Sequence, residues 1–200
     1  MTEPLHVAVA FEGYGRHPEA WRHTPERRRH RRPEIDPRWL AGRPDVATGR
    51  YVVAAVAHAR PIYEFASCSA DLVFITPADD DSLRTILAEL ADVGGADLKV
   101  FADLYVSSSG LSDPRSDALV APASAAELVE LVLRWRQIGL DGVRLCPAVT
   151  TVDLPFIVDE VVPLLRDADG FRTAYRANET LRARLGRPVA ENRYQEANRP

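Results

Sequence analysis

Lysine is nearly missing from this 200-residue sequence: Lys99 is the only one, so arginine supplies the other 24 of its 25 cationic side chains. That bias accords with GC-rich coding rather than with a demand for planar guanidinium groups. Cysteine is scarce too. Cys68 and Cys146 stand far apart without metal-ligand spacing, which excludes a disulfide framework and a cysteine-based zinc site and leaves free thiols in a reducing cytoplasm as the expectation. No apolar run approaches the ~20 residues of a membrane-spanning helix. Residues 1–6 include Glu3 and no cationic stretch, so no secretory signal is expected either. The length is short for a closed eight-stranded βα barrel, which takes about 250 residues.

What is present is a soluble, globular composition, 46% apolar, with 29 acidic side chains against 25 basic ones and a net charge of -4. The charge is uneven. Residues 16–50 hold ten arginines and five acids, a net of +5, which leaves -9 for the rest of a chain whose total is -4. The same stretch carries five prolines and, between residues 22 and 36, no apolar periodicity of helical or strand type. It reads as an exposed basic linker. Its run Arg27-Arg28-Arg29-His30-Arg31-Arg32 has no interleaved aromatic residue and sits in no nucleic-acid motif, so a solvated linker is the better reading than a nucleic-acid contact. His17, His23 and His30 are too widely spaced to form a metal set, and no metal is expected.

On either side of the linker the pattern is regular. Residues 5–11 (LHVAVAF) form a short apolar run before Glu12-Gly13-Tyr14-Gly15, as expected of a buried strand followed by a loop. Residues 51–59 (YVVAAVAHA) read as a parallel strand covered on both faces. Pro61 then opens a helix through Ser69 with Ile62, Phe65 and Ala66 on one face. Residues 71–76 form the next strand. Asp79, Asp80 and Asp81 place negative charge at the start of a helix faced by Leu83, Ile86, Leu87 and Leu90. Residues 98–106 are a third strand, 107–122 a Ser, Gly, Asp and Pro-rich loop, and Ser124 with Glu127 a capping-box pattern before a helix that Gly139 ends. Residues 142–146 make the last strand. Asp153 and Pro155 open a helix through about residue 165, bent at Pro163, and a polar tail follows. The expected organisation is a first strand and loop (1–15), a basic linker (16–50), four βα units (51–170) and a C-terminal tail (171–200).

Several of these segments carry a resemblance. Gly49-Arg50-Tyr51 through Phe74-Ile75-Thr76-Pro77, then Gly139-Leu140-Asp141-Gly142-Val143-Arg144-Leu145-Cys146-Pro147, then Phe171-Arg172-Thr173-Ala174-Tyr175, Leu185-Gly186-Arg187-Pro188 and Asn192-Arg193-Tyr194 are similar to the C-terminal half of bacterial luciferase-like flavin-dependent monooxygenases. Residues 6–22, with His17-Pro18-Glu19-Ala20-Trp21-Arg22, resemble the first strand and loop of the nitrilotriacetate and alkanesulfonate monooxygenase branch. The resemblance implies a TIM barrel, reduced FMN supplied by a separate flavin reductase, and oxidation of a small organic substrate by oxygen. Mapped onto it, this sequence keeps the first and the fifth to eighth strands, with the linker in place of the second to fourth. The implied fold is α/β, an incomplete (βα) TIM-type barrel whose open edges invite a homo-oligomer.

The resemblance also implies site residues. The loop after the family's fifth strand cradles the flavin phosphate, and here the matching positions are Ala57-His58-Ala59-Arg60-Pro61-Ile62-Tyr63. His58, Ala59, Arg60 and Tyr63 are therefore the implied cofactor contacts, with Pro61 unable to donate an amide. His58 and Glu12 are the candidate catalytic residues at the rim formed by the strand C-termini, and Tyr14 and Arg144 the candidate substrate contacts. Arg144 has a competing and simpler reading as the ion-pair partner of Asp103 on the neighbouring strand. A function of another class also fits open edges: a non-catalytic scaffold that pairs its sheet with a partner or with itself.

Overall fold

The computed structural model describes residues 5–9, 16–23, 52–168, 170–174, 177 and 179–188. They form one sheet with β1 (His6–Val9), β2 (Ala54–Val56), β3 (Leu72–Ile75), β4 (Lys99–Val106), β5 (Leu119–Val120) and β6 (Gly142–Pro147). The helices are α1 (Arg60–Ser69), α2 (Asp80–Asp92), α3 (Ala125–Ile138), α4 (Thr150–Phe156), α5 (Val162–Asp167) and α6 (Leu181–Arg184). All strand pairs are parallel, in the order β1-β6-β4-β3-β2, with β5 attached to β4. This is the cyclic order of a βα barrel, left open between β1 and β2 among the described residues. Glu12, Tyr14, Arg27 to Arg32 and Asn192 to Tyr194 lie outside those residues.

Alternation along the strands separates two faces. The side chains of Val73, Ile75, Val100, Ala102, Leu104, Val143 and Leu145 point to the helices and join Leu83, Leu90, Leu128, Val132, Trp135 and Leu165 in the main core. Trp135 is fully buried, and its indole N–H donates to Asp80 Oδ1 at 2.8 Å, linking α3 to the first turn of α2. The opposite face carries Leu72, Phe74, Phe101, Asp103, Tyr105 and Arg144. Here Gly142 has a steric reason: a Cβ would lie 2.7 Å from both the His6 carbonyl oxygen and the Phe101 ring.

Several expectations are corrected in detail. The strand expected over 51–59 shortens to β2, and Val53 and Val56, on opposite faces, are both exposed, because β2 ends the sheet and pairs only with β3 among the described residues. On α1 the buried pair is Tyr63 and Ala66, whereas Phe65 faces outward; a helix at the sheet edge has less core to cover, and its i, i+3 pair takes it. The capping box forms at α2, not at α3: Asp79 Oδ1 accepts from the Ser82 amide, and Ser82 Oγ accepts from the Asp79 amide. Ser124 makes no side-chain cap bond. The loop 107–122 contains β5, too short at two residues to leave a periodicity. The bend expected at Pro163 occurs as a π-helical turn, Ile157–Val161, closed by the Val162 amide on the Ile157 carbonyl just before the proline.

The polar tail is more than a surface wrap. Leu185 packs against Leu72 and Phe101 on the face away from the main core. Arg182 and Arg187 both reach Asp71, at 2.5 and 3.3 Å, and Asp71 also accepts the Val53 amide. Burial pushes the Asp71 carboxyl up, but the two guanidiniums and the amide outweigh it and hold its pKa below the ordinary carboxylate range. A carboxylate with a depressed folded pKa contributes stability that is complete above its unfolded value and is lost as pH falls through the folded one. Asp71→Asn is therefore expected to cost about 3 kcal/mol near neutrality, because it removes the carboxylate paired with the buried Arg182 and with Arg187. The gap between wild type and variant should narrow in urea melts as pH falls below about 4; an unchanged gap would contradict the clamp.

Candidate functional site

Parallel strands deliver their C-terminal ends to one rim, and the loops that leave it carry most of the polar groups of interest. β4 is bonded to β6 through Phe101–Val106 and to β3 through Lys99–Ala102, so β5, paired at Leu104 and Tyr105, continues the β3 side beyond the end of β3. That placement brings Asp117, two residues before β5, to Thr76, just past β3. His58, just past β2, joins them. Its Nδ1 lies 3.0 Å from Thr76 Oγ1 and 3.3 Å from Asp117 Oδ2.

A second cluster surrounds the end of β4. Asp153, on the first turn of α4, is completely buried. Its Oδ1 accepts from the Ser108 amide and hydroxyl at 2.8 and 2.7 Å, and its Oδ2 from the Val149 amide at 2.7 Å. One carboxylate thus ties the loop after β4 to the loop after β6. Beside it, Tyr105 packs with Ala118 and Ala148. The hydroxyls of Tyr105, Ser107 and Ser116 are buried with no hydrogen-bond partner among the described residues. Burial, helped by the Asp113 and Asp153 charges and opposed by Arg16, pushes the Tyr105 phenol up to about 12, so at neutral pH it remains a donor.

Residues 16–23 fasten to the same rim. The Arg16 and His17 amides donate to the carbonyls of Pro147 and Ala148 at 2.8 and 3.0 Å, and Ala20 is buried. Arg16 Nη1 lies 3.2 Å from Cys146 Sγ. The thiol is not activated by this contact: burial first, then the Asp103 charge, raises its pKa despite Arg16.

The cofactor contacts implied by the resemblance do not converge. Ala59 is the N-cap of α1, and its carbonyl takes the Ile62 and Tyr63 amides at 2.9 and 3.2 Å. Arg60 is paired with Asp92 at 2.6 Å and with Glu64 at 3.5 Å. Tyr63 is buried in the main core, where burial, then the Glu89 charge, raises its pKa. Of this set only His58 meets other polar groups at the rim. Arg144 makes the ion pair: Nε donates to Asp103 Oδ1 at 2.7 Å and Nη2 to Oδ2, with the guanidinium 3.8 Å over the Phe74 ring. Thr76, Tyr105, Ser107 and Asp117 carry no motif that sequence reasoning uses. Only Asp153, as a helix-opening acid, left a trace.

No protein-family model and no curated protein matches the sequence. Solved structures do match the fold. An EDTA monooxygenase from Chelativorans sp. BNC1 superposes with a TM-score of 0.58 at 16% identity, over 68% of this chain and 51% of that one. A long-chain alkane monooxygenase gives 0.57 at 15%, over 68% and 45%, and DmoA from Hyphomicrobium sulfonivorans 0.56 at 17%, over 67% and 45%. A riboflavin lyase holding modified FMN and riboflavin gives 0.53 at 16%, over 69% and 48%. The chain spans about half the length of each. Similar to TIM-barrel-type structures and open between β1 and β2 among the described residues, the fold is an incomplete βα barrel.

Proposed function

We propose that the chain is a luciferase-like, flavin-dependent oxidoreductase of reduced extent that acts on a small organic substrate at the rim of its strands. Support comes from its fold likeness to monooxygenase structures together with one observation on the chain itself. That observation is the set of buried hydroxyls of Tyr105, Ser107 and Ser116 that have no partner among the described residues, since buried polar groups ordinarily find partners.

Fit to a flavin differs between its two ends. The hydroxyls suit the ring system, whose edge is rich in hydrogen-bonding nitrogen and oxygen. The phosphate finds little: Pro61 has no amide hydrogen, the Ile62 and Tyr63 amides are taken by Ala59, and Arg60 is held by Asp92. In this reading Tyr105 donates to the ring, Ser107 and Ser116 complete its bonding, and the Arg60 amide and His58 are what remain for an anion. When bound, the flavin supplies the two-electron redox chemistry. FMN, delivered reduced by a separate reductase, is the finer form of the proposal, as is a cytoplasmic setting.

The proton chemistry falls to His58. Asp117 and Thr76 both lie at Nδ1, so a carboxylate acceptor there favours the neutral tautomer with its proton on Nδ1, which leaves Nε2 as the acceptor. Glu12 and Tyr14 remain proposed contributors from the loop after β1, as does Arg144 for an anionic substrate through the guanidinium edge not used by Asp103.

Titration of the purified chain with FMN and with riboflavin, followed by flavin absorbance and fluorescence, tests the reading. Both should bind, with dissociation constants within about threefold of each other, since a strong phosphate contact would add a factor of ten or more per ~1.4 kcal/mol. Tyr105→Phe should weaken both by about fivefold, the worth of one net hydrogen bond. No binding of either flavin sinks the proposal. Separately, His58→Ala should lower reductase-coupled turnover by about a hundredfold at unchanged flavin affinity, and Asp117→Asn by less. Turnover indifferent to His58 removes it from the chemistry.

A further inference from the structure

Among the described residues the sheet has two edges without a partner strand, and they are not alike. At one end β2 has β3 on one side and no described strand on the other. Parallel strands are normally covered on both faces, yet Val53 is 51% exposed on one face of β2 and Val56 47% on the other. Phe65 of α1, 64% exposed, extends this apolar edge. At the other end, the His6 amide points toward β6 and bonds Asp141, while the preceding Leu5 amide points away and bonds Gly170. The outer side of β1 is thus covered at its start by residues 170–171 and has no described partner from Val7 onward. A row of apolar side chains beside unpaired backbone groups is a template for pairing with another strand.

We propose that two copies of the chain close one barrel, with β2 of each copy beside β1 of the other, about a two-fold axis parallel to the strands. Each copy carries one edge of each kind. Joining β2 to the next copy's β1 continues the order β2-β3-β4-β6-β1 with every strand parallel, and the joint closes after two copies. The product has ten parallel strands in its wall, a wider barrel than one of eight.

A two-fold along the strands places both sets of strand C-termini at the same end. His58 and Asp117, beside the β2 edge, then lie at the rim next to the C-terminal end of the partner's β1. The alternative self-pairing, β2 against β2, runs antiparallel and sends the two rims to opposite ends. It leaves each site open. The proposal rests on the sheet edges and not on flavin, so it stands or falls apart from the function proposed above.

Light scattering on the eluting full-length protein should give twice 22.1 kDa at micromolar concentration. Val53→Lys with Val56→Lys should convert it to a monomer with unchanged far-ultraviolet circular dichroism. Orientation is read by cross-linking in a Cys68→Ser background. Ala55→Cys and Val53→Cys chains, each mixed with Val7→Cys chains, should form a disulfide between unlike copies, since all three positions lie on the helix-bearing face. A monomeric wild type overturns the proposal. So does a dimer in which neither mixture cross-links, or one in which Ala55→Cys links to itself.

Discussion

A parallel sheet with its helices on one side leaves the other side to be organised by side chains alone, and the ion pair of Arg144 with Asp103 organises it here. The two residues face each other across β6 and β4, with Asp103 almost completely buried and Arg144 still reaching solvent. A buried carboxylate needs a partner that satisfies both oxygens, and the planar guanidinium does so. The remaining guanidinium face lies over Phe74, Phe74 meets Phe101 edge-on, and Phe101 stacks on His6, so two further strands, β3 and β1, take side-chain positions from this pair. Gly142 is the space that Phe101 requires.

Charged anchors recur wherever a loop must be held against this framework. Asp71 gathers the segment after β6 onto the N-terminal ends of the strands, through Arg182 and Arg187. Asp153 does the corresponding work at the C-terminal ends, where it accepts three bonds from the loops after β4 and β6. Lys99 bonds Asp141, which also accepts the Val100 amide, so the single lysine closes the entry to β4 and β6. In a sheet that does not close on itself, such cross-ties replace part of the constraint that a complete ring of strands supplies. At the C-terminal ends the Asp153 tie also holds the rim loops in fixed relation to one another.

Much of the fold was legible in the sequence for a local reason. Largely apolar runs such as residues 98–106, and the helical spacing of Leu128, Leu131, Val132 and Trp135, record burial on both faces or on one stripe, and burial is what makes them fold that way. The Arg144–Asp103 pair was legible as well, since two opposite charges on adjacent apolar strands have few other outcomes. The site was less so. Thr76, Tyr105, Ser107 and Asp117 are ordinary residues in ordinary places, and what distinguishes them is the register of β3, β4 and β5, a relation between segments. Arg60 and Tyr63 illustrate the converse. The resemblance aligns them with a phosphate loop, but Asp92 on α2, invisible as a neighbour in the chain, takes the one, and the main core buries the other.

By itself the sequence determined that this chain folds as alternating parallel strands and helices and that arginine carries nearly all its positive charge. These are properties of composition and of short-range periodicity, which the chain carries before it folds. Tertiary structure decided, among the described residues, where the sheet is left open, which hydroxyls are buried without partners, and that His58 meets Asp117 and Thr76. Each of those depends on strand order and register, and register is settled only when one whole face of the sheet is buried at once.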